Sequence, residues 1–375
     1  MPSHREHGSE SIRIGIGAAF DSFGGMPAYI QAIKKFSSHE IVEVPSQFAR
    51  ILVNPLMQVQ RLSRLYRQPP YGTLANRINL QWIYQSLMNE RRLKGFDILH
   101  SQAQPWFTSL CQKSESLASG WVHTYHTLYY FEEDYPNGLQ NWQKNANSEL
   151  TDVASQADVR LSVSHWLRDY LLDRYSINTT VIPNGVDSDA CASARPDRFM
   201  EKYGIRDFVL FVGNLSPVKN PGLFVDLASL NPGVKFVMIG RDLRSKYFIK
   251  EYGRVPPKNV FLMGAISHSD TLDAISACRA IVMTSRREGL PTALLESLAL
   301  GKPVVAPNHS GCREVVVNKD CGYLFEPNSL ADLQEKTELA LQTEGDPEVR
   351  KEFVLSNYDW RNVAGRIDAV YESLL

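Results

Sequence analysis

Two glutamates eight positions apart are the residues of this sequence best suited to chemistry. Glu288 and Glu296 lie on either side of Pro291-Thr292, within the stretch from Arg286 to Glu314. An ionised carboxylate only accepts hydrogen bonds, so a pair of this kind can bind hydroxyl groups on two parts of one ligand. What the pair can do depends on the elements that position it.

The elements around the two glutamates read as strand, loop, helix and strand. Residues 280–285 form an apolar, β-branched run typical of a buried parallel strand. Residues 291–300 predict a helix with proline in its first turn and a stop at Gly301, and residues 302–306 predict the next strand. Glu288 then lies in the strand-to-helix loop and Glu296 about one turn inside the helix. Both can face the carboxyl edge of the sheet, where open α/β sheets bind ligands.

The predicted helix also supplies a phosphate site. Its first N–H groups and the positive end of its dipole would lie at the same sheet edge. One carboxylate on each side of a phosphate there could accept hydrogen bonds from hydroxyls. The pattern therefore indicates a ligand made of sugar, diphosphate and ribose.

The complete string E-G-L-P-T-A-L-L-E-S-L-A-L-G-K-P-V-V-A resembles the donor-binding signature of retaining glycosyltransferases with the GT-B fold, most closely glycosyltransferase family 4. The resemblance covers nearly the whole chain and is firmest over residues 208–326. It implies two Rossmann-like α/β domains that face each other across a cleft. It also implies metal-independent transfer of a sugar, with retention, from a UDP- or GDP-linked donor to a hydroxyl acceptor, without a cofactor. Alternatives of other kinds are a GT-B-like sugar-nucleotide epimerase and a non-catalytic nucleotide-sugar-binding subunit.

The resemblance assigns roles to individual residues. Glu288 would hold sugar hydroxyls and Glu296 ribose hydroxyls, while Lys219 and the helix start would stabilise the leaving diphosphate. His126 would contact the transferred sugar, and Asn214 stands where the family usually has arginine. A surface lysine and a structural histidine are the alternatives for Lys219 and His126. The predicted catalytic residues are His126, Lys219 and Glu288, and the predicted donor-binding residues are Gly24, Gly25, Gly213, Asn214, Lys219, Gly264, Ile266, Glu288, Gly289, Leu290, Pro291, Thr292 and Glu296.

The first half of the chain opens with an alternating strand at residues 12–17 and a helix that follows Gly24-Gly25. Gly15-x-Gly17-x-x-Phe20 does not make a dinucleotide-binding fingerprint, because Phe20 replaces the third glycine. Gly24-Gly25 instead allows close approach of a ligand, with an ordinary turn as the alternative. Further strands are predicted at residues 96–100, 121–125 and 158–164. His126 follows the second of these, and His100, at the end of the first, is a weaker candidate. A helix is predicted at residues 165–175 and, in the second half of the chain, a strand at residues 235–239.

The length of 375 residues fits two domains. The segment V-I-P-N-G-V-D, residues 181–187, resembles the end of the family's N-terminal domain. We therefore expect an acceptor-side domain at residues 1–190, a nucleotide-sugar-binding domain at 200–345 and helices that cross back at 346–375.

Composition excludes several classes of function. The chain has 40 basic and 41 acidic residues, which gives no global indication of nucleic-acid binding. Residues 1–10 lack the apolar core of a signal peptide and no run of ~18 apolar residues is present, so a cytoplasmic protein is expected. The sequence contains no C-x-x-C pair, so neither a zinc site nor a disulfide framework is indicated. Asp187-Ser188-Asp189 spells a D-x-D metal motif but is interpreted as a solvated linker, so no metal site is expected.

A basic region lies between residues 50 and 94. It contains eight basic residues and one acidic residue, with apolar side chains interleaved. It is interpreted as a solvated basic helix pair, as a surface that contacts the inner face of an anionic membrane, or as a site for an anionic acceptor. The acceptor itself is open among lipid-linked molecules, glycans and small molecules. The basic residues are Arg50, Arg61, Arg64, Arg67, Arg77, Arg91, Arg92 and Lys94.

Overall fold

A computed structural model describes residues 11–17, 25–44, 93–102, 105–114, 118–134, 137–342 and 345–375. Gly24 and all of the basic region except Leu93 and Lys94 lie outside these residues. The chain divides into two compact units. The first contains Met1–Ser162, Tyr170–Ile182 and Ala364–Leu375, and the second contains Val163–Asp169 and Pro183–Val363.

The first unit is built on a six-stranded parallel sheet. The strands are β1 (Arg13–Gly17), β2 (Glu40–Val44), β3 (Ile98–Ser101), β4 (Gly120–Tyr125), β5 (Val159–Ser162) and β6 (Thr180–Val181), and their order in the sheet is β2-β1-β3-β4-β5-β6. Strands β3 and β4 are buried along their whole length, as expected for parallel strands covered on both faces. The helices are α1 (Gly25–Phe36), α2 (Pro105–Lys113), α3 (Asn141–Ser148) and α4 (His165–Tyr175), with 3₁₀ turns at Glu132–Asp134 and Ala154–Gln156 and a π-helical turn at Glu149–Val153. The first residues of α4, up to Asp169, belong to the second unit.

The glycine-rich pattern of β1 has a packing explanation. A Cβ atom on Gly15 would lie 3.0 Å from two ring carbons of Phe96, so the strand needs glycine there to pack against that ring. The structure thus gives Gly15 a role in the core of the first unit.

The second unit is also built on a six-stranded parallel sheet. Its strands are β7 (Phe208–Val212), β8 (Lys235–Ile239), β9 (Val260–Gly264), β10 (Ala280–Val282), β11 (Val304–Pro307) and β12 (Gly322–Phe325), in the order β12-β11-β10-β7-β8-β9. Its helices are α5 (Ser188–Ala192), α6 (Pro196–Tyr203), α7 (Pro221–Leu230), α8 (Ser245–Tyr252), α9 (His268–Ala277), α10 (Thr292–Ala299), α11 (Cys312–Val315), α12 (Leu330–Gln342), α13 (Pro347–Tyr358) and α14 (Trp360–Glu372). Buried aromatic and aliphatic side chains between the layers form its core, including Phe211, Phe224, Phe236, Met238 and Phe248.

The strand order explains where a ligand can bind. The chain leaves β7 in one direction for β8 and β9, and then returns to the other side of β7 with β10. The loops that follow β7 and β10 therefore diverge at the carboxyl edge of the sheet. Such a topological switch point is where open α/β sheets form ligand crevices.

Helix α14 has residues in both units, since Ala364–Leu375 belongs to the first. In the second unit its start is tied to the V-I-P-N-G-V-D segment, because the Trp360 N–H donates to the Val186 carbonyl at 3.0 Å. A Cβ atom on Gly185 would lie 2.7 Å from the Trp360 ring, so this position has room only for glycine.

The D-x-D tripeptide begins a short helix and is not the linker that the sequence suggested, although the Asp189 side chain is solvent-exposed as expected. Asp187 is the N-cap of α5 and its Oδ1 accepts the Ala190 N–H at 3.0 Å. Asp189 accepts a hydrogen bond of 2.5 Å from the Arg361 guanidinium. The motif was misread because helix capping and a partner 172 positions away cannot be seen in three residues. Strands β2 and β12 were likewise not predicted.

Among the residues that the structure describes, none of the helices is long and apolar enough to span a membrane.

Candidate functional site

The switch point of the second unit brings together two of the three predicted catalytic residues. Lys219 Nζ donates to Glu288 Oε1 at 2.6 Å. The side chain of Lys219 is 30% exposed and that of Glu288 is 11% exposed. The lysine is therefore partly exposed and the glutamate mostly buried, and such an ion pair is screened less than one at an open surface.

The Lys219 loop is fixed by the end of the neighbouring strand. Thr284 Oγ1 donates to the carbonyls of Lys219 and Asn220, at 3.2 and 2.9 Å. The Arg286 N–H donates to the Val218 carbonyl at 2.7 Å. Asn220 adopts a positive φ of 47°, which turns the chain into α7. These contacts hold the lysine near the glutamate loop.

The loop after β11 holds Glu288 from the other side. The Glu288 N–H donates to Ser310 Oγ at 3.1 Å, and the Glu288 carbonyl accepts the Gly311 N–H at 3.0 Å. Ser310 is buried and has a φ of 48°. A Cβ atom on Gly311 would lie 1.9 Å from the Gly289 carbonyl oxygen, so the two backbones touch. Ser310 and Gly311 were not among the predicted residues, although a Ser-Gly turn after a predicted strand is the signal that could have found them.

Three glycines lie at the ends of β7, β8 and β9, and two of them, Gly213 and Gly264, were predicted. A Cβ atom on Gly240 would lie 1.8 Å from the Gly213 carbonyl oxygen, and the Gly240 N–H donates to the Gly264 carbonyl at 2.9 Å. Gly264 has a φ of 70°. Ile266 follows it, partly exposed, in the loop before α9. The backbone of these loops is close-packed, which explains why glycine occurs at each strand end.

Asn214 has a structural partner in the adjacent loop. Its Oδ1 accepts the Arg241 N–H at 3.1 Å, and the Leu215 N–H donates to the Arg241 carbonyl at 2.9 Å. The chain thus places an arginine from the β8 loop directly beside the position where the family's arginine is replaced by asparagine. Arg241 was not among the predicted residues, since it is near Asn214 only in the folded sheet.

The second glutamate of the pair lies on α10 beside a histidine that the sequence did not indicate. Glu296 Oε1 is 2.7 Å from His268 Nε2. The Glu296 side chain is 17% exposed and that of His268 is 60% exposed. The hydrogen bond to Glu296 raises the pKa of His268, against the opposing effect of partial burial.

The loop between the two glutamates, where a phosphate site was predicted, is held in place by a buried asparagine. Asn184 Nδ2 donates to the Leu290 carbonyl at 2.9 Å, and both residues are buried. Pro291 is the N-cap of α10 with a φ of −78°, and the helix begins at Thr292. Asn184, in the V-I-P-N-G-V-D segment, therefore holds the backbone of the loop through its side-chain amide. The first turn of α10 follows directly after this contact, with Pro291 as its N-cap.

The third predicted catalytic residue, His126, belongs to the first unit. Its Nε2 is 2.9 Å from Gln102 Oε1, and its ring packs edge-on against Tyr29 with centroids 4.6 Å apart. Burial lowers the pKa of His126 to about 4. The ring is therefore neutral near pH 7 and can form hydrogen bonds to a ligand without bringing a charge.

His100 is used by the protein itself. Its Nδ1 is 2.6 Å from the Tyr371 hydroxyl and its Nε2 is 2.8 Å from Thr124 Oγ1. Burial, with a smaller contribution from His126, lowers its pKa to about 3. Both ring nitrogens are engaged, so the structure gives His100 a structural role.

The glycine predicted to face a ligand in the first unit has space around it. Gly25 is the first residue of α1, and among the described residues a Cβ atom there would meet nothing within 4 Å. Packing against the described part of the protein therefore does not explain the glycine. Gly24 lies outside the described residues.

Over the described part of the chain, no group of three or more histidine, cysteine, aspartate or glutamate side chains is arranged to hold a metal ion. In the acidic run at residues 132–134, Glu133 pairs with Arg174 at 2.8 Å.

Two family models match this chain in succession. Residues 44–190 match the model described as Glycosyltransferase Family 4, and residues 197–360 match the model described as Glycosyl transferases group 1. Together the two regions cover most of the chain. The protein is a glycosyltransferase with the GT-B fold. It resembles family 4 and transfers a sugar from a nucleotide-sugar donor, which confirms the activity that the sequence suggested.

Curated relatives support this assignment at moderate identity. The glycosyltransferase is 27% identical over 283 residues to the UDP-Gal:α-D-GlcNAc-diphosphoundecaprenol α-1,3-galactosyltransferase of Escherichia coli, and the match covers 69% of this chain and 70% of that one. It is 26% identical over 229 residues to an uncharacterised glycosyltransferase of Methanocaldococcus jannaschii, where the match covers 59% of this chain and 61% of the relative.

Solved structures agree on the fold. The glycosyltransferase aligns with Anabaena HepE, crystallised in complex with UDP and glucose, with a TM-score of 0.73 and 16% identity over 96% of this chain and 100% of that one. The sucrose-phosphate synthase of Thermosynechococcus elongatus aligns with a TM-score of 0.69 and 16% identity, over 97% and 99% of the two chains. The predicted fold class is confirmed.

Proposed function

We propose that this glycosyltransferase uses a UDP-sugar and retains the anomeric configuration of the sugar it transfers. The observation that carries the proposal is the Lys219–Glu288 pair at the switch point of the second unit. A cation for the diphosphate and a carboxylate for sugar hydroxyls are needed side by side in such a reaction. Glu296, on helix α10 at the same edge of the sheet, would bind the ribose hydroxyls.

Lys219 can serve both its partner and a donor. An ammonium group has three N–H donors, and the hydrogen bond to Glu288 uses one of them. The others would contact diphosphate oxygens, together with the first-turn N–H groups of α10 at Thr292. Arg241, beside Asn214, is our candidate for the second cation of the site.

These groups favour departure of the nucleoside diphosphate. Negative charge grows on the diphosphate as the glycosidic bond breaks, and preorganised cations and helix N–H groups stabilise that charge more than the ground state. We propose front-face attack, in which the departing phosphate takes the proton of the acceptor hydroxyl. His126 would contact the transferred sugar as a neutral imidazole.

The donor base and the acceptor class are proposed from the relatives. The E. coli relative is named for a UDP-linked donor and a diphosphoundecaprenol-linked acceptor, and the HepE structures contain UDP. We therefore propose UDP as the leaving group and a lipid-linked acceptor at an anionic membrane surface. The basic stretch at residues 50–94 would face that surface, although nearly all of it lies outside the described residues.

The first experiment is incubation of the purified enzyme with UDP- and GDP-sugars, with and without lipid-linked and soluble acceptors. The proposal predicts UDP release that depends on acceptor, and a product whose anomeric configuration in NMR matches that of the donor. An epimerised donor, GDP release or an inverted product would contradict it. Lys219→Gln and Glu288→Gln should both lose transfer.

The second experiment tests the membrane surface. Sedimentation with vesicles that contain acidic lipids should exceed that with neutral vesicles and should weaken as salt rises, because the Debye length falls from about 10 Å at 0.1 M to about 3 Å at 1 M. Replacement of Arg61, Arg64 and Arg67 with glutamine should reduce vesicle binding without a change in UDP affinity. Equal sedimentation with both kinds of vesicle would refute a membrane-facing role.

A further inference from the structure

His268 contacts the carboxylate of Glu296 through Nε2, at 2.7 Å. A carboxylate can only accept, so Nε2 carries the proton and donates. Because the bond is made to Oε1, the other oxygen of Glu296 is left for a ligand. Glu296 is mostly buried on α10, while His268 is mostly exposed. The histidine thus holds the carboxylate from its solvent side.

The backbone of His268 is itself fixed. It is the first residue of α9, whose N-cap Ser267 accepts the Asp270 N–H through Oγ at 3.0 Å. A capped helix start restricts the position from which the imidazole can reach Glu296. The contact is therefore a defined geometry between two helices, α9 and α10.

The charges that face His268 come from three elements. Glu296 on α10 and Asp187, the N-cap of α5, both favour its protonated form. On its own helix, Asp270 is paired with Lys202 at 2.9 Å. The protonated imidazole therefore has anionic neighbours on two other elements.

We propose that His268 is a positioning residue, which orients the Glu296 carboxylate so that its free oxygen accepts a hydrogen bond from a ribose hydroxyl of the donor. The inference rests on the role proposed for Glu296 in the preceding section. His268 does not touch the reacting atoms, so its effect should appear in nucleotide affinity and KM and leave kcat nearly unchanged.

The direction of the pH dependence follows from the pKa shift. Interaction with Glu296 raises the pKa of His268, so the charged form persists to a higher pH than in an isolated histidine. As pH rises through that pKa, the imidazolium–carboxylate ion pair becomes a hydrogen bond from a neutral imidazole to the carboxylate, which is weaker. Nucleotide affinity should therefore fall with rising pH across this titration.

The test is calorimetric titration of UDP and GDP from pH 5.5 to 8.5 into wild-type enzyme and three variants. In His268→Gln a neutral side-chain donor is kept, and in His268→Phe the donor is removed. His165 is the matched control, because it is also exposed and also the first residue of a helix. The ratio of wild-type to variant affinity at each pH cancels the titration of the nucleotide itself.

We expect His268→Phe to weaken binding at least about tenfold at low pH, the lower end of the range for a hydrogen bond to a charged group. The wild-type advantage over His268→Gln should shrink as pH rises, and His165→Gln should follow the wild type. A wild-type to His268→Phe ratio near one at every pH would overturn the inference.

A fourth variant separates this inference from the proposed function. If Glu296→Gln weakens nucleotide binding while His268→Phe does not, the ribose role stands and only the positioning role fails. If Glu296→Gln binds as well as wild type, the ribose role fails and the positioning role with it. Unchanged thermal unfolding of each variant shows that the fold is intact.

Discussion

Lys219 Nζ lies 2.6 Å from Glu288 Oε1, across 69 positions of sequence. The two charges of the proposed catalytic site are thus paired with each other before a donor is present. A bound diphosphate would share the lysine with the glutamate, so the two side chains should be energetically coupled.

The first prediction concerns this pair. Lys219→Gln should weaken UDP binding, because it removes a cation and leaves a largely buried carboxylate near the phosphate. Glu288→Gln should leave UDP affinity intact or improve it, because the lysine loses its competitor, while kcat falls by roughly 10²-fold as for loss of a group that acts in the transition state. Calorimetry with UDP and steady-state kinetics measure the two effects. Equal loss of UDP affinity in both variants would refute the assigned roles.

A second prediction concerns Ser310, which combines a φ of 48° with a hydrogen bond to the Glu288 N–H. Ser310→Gly and Ser310→Ala both remove the hydroxyl that holds Glu288, so both should lower kcat. Glycine accepts the left-handed conformation, so Ser310→Gly should be more stable than Ser310→Ala by about 1 kcal/mol. Chemical denaturation measures this difference. Full activity in both variants would show that the hydroxyl does not position Glu288.

A third prediction contrasts two glycines. Gly311→Ala should destabilise the protein or displace the Glu288 loop, because its Cβ would lie 1.9 Å from a backbone oxygen. Gly25→Ala has free space and should leave stability unchanged, yet it should reduce turnover if a ligand approaches that backbone. Gly233, also surrounded by open space, is the control and should tolerate alanine in both assays. Thermal melts and kcat/KM decide each case, and a fully active Gly25→Ala would refute a ligand contact at Gly25.

A fourth prediction concerns acid stability. Burial lowers the pKa of His126 to about 4, that of His100 to about 3 and that of His123 well below its usual value. The unfolded chain then binds more protons than the folded one below about pH 6.5, so the folded state loses stability as pH falls from there towards 4. Each histidine contributes up to about 1.4 kcal/mol per pH unit in this range. Unfolding free energies should decline accordingly, and His126→Gln should reduce the slope of this decline. A flat profile would contradict neutral buried histidines.

A fifth prediction concerns metal. Asp187 caps a helix and Asp189 pairs with Arg361, so neither is expected to bind a divalent ion for catalysis. Transfer should persist in excess EDTA, and Asp189→Asn should change activity little. Loss of activity in EDTA that Mn²⁺ or Mg²⁺ restores would contradict this expectation.

The sequence by itself determined the secondary-structure elements and the functional side chains that can be recognised from residues close together in the chain. Strand β8 is observed as predicted, at Lys235–Ile239, and helix α4 at His165–Tyr175, because each has a local apolar pattern and clear ends. Glu288 and Glu296 could be assigned to a strand-to-helix loop and its helix, since an eight-residue spacing includes both. The same local string carried the family resemblance.

Tertiary structure decided which distant residues those groups meet. Ser310 beneath Glu288, Arg241 beside Asn214 and His268 on Glu296 all come from loops that the strand order β12-β11-β10-β7-β8-β9 brings to one sheet edge. Parallel pairing sets that order through crossovers of a dozen or more residues. Contacts between residues this far apart in the chain leave no periodic or spacing signal in the sequence, so only the folded sheet reveals them.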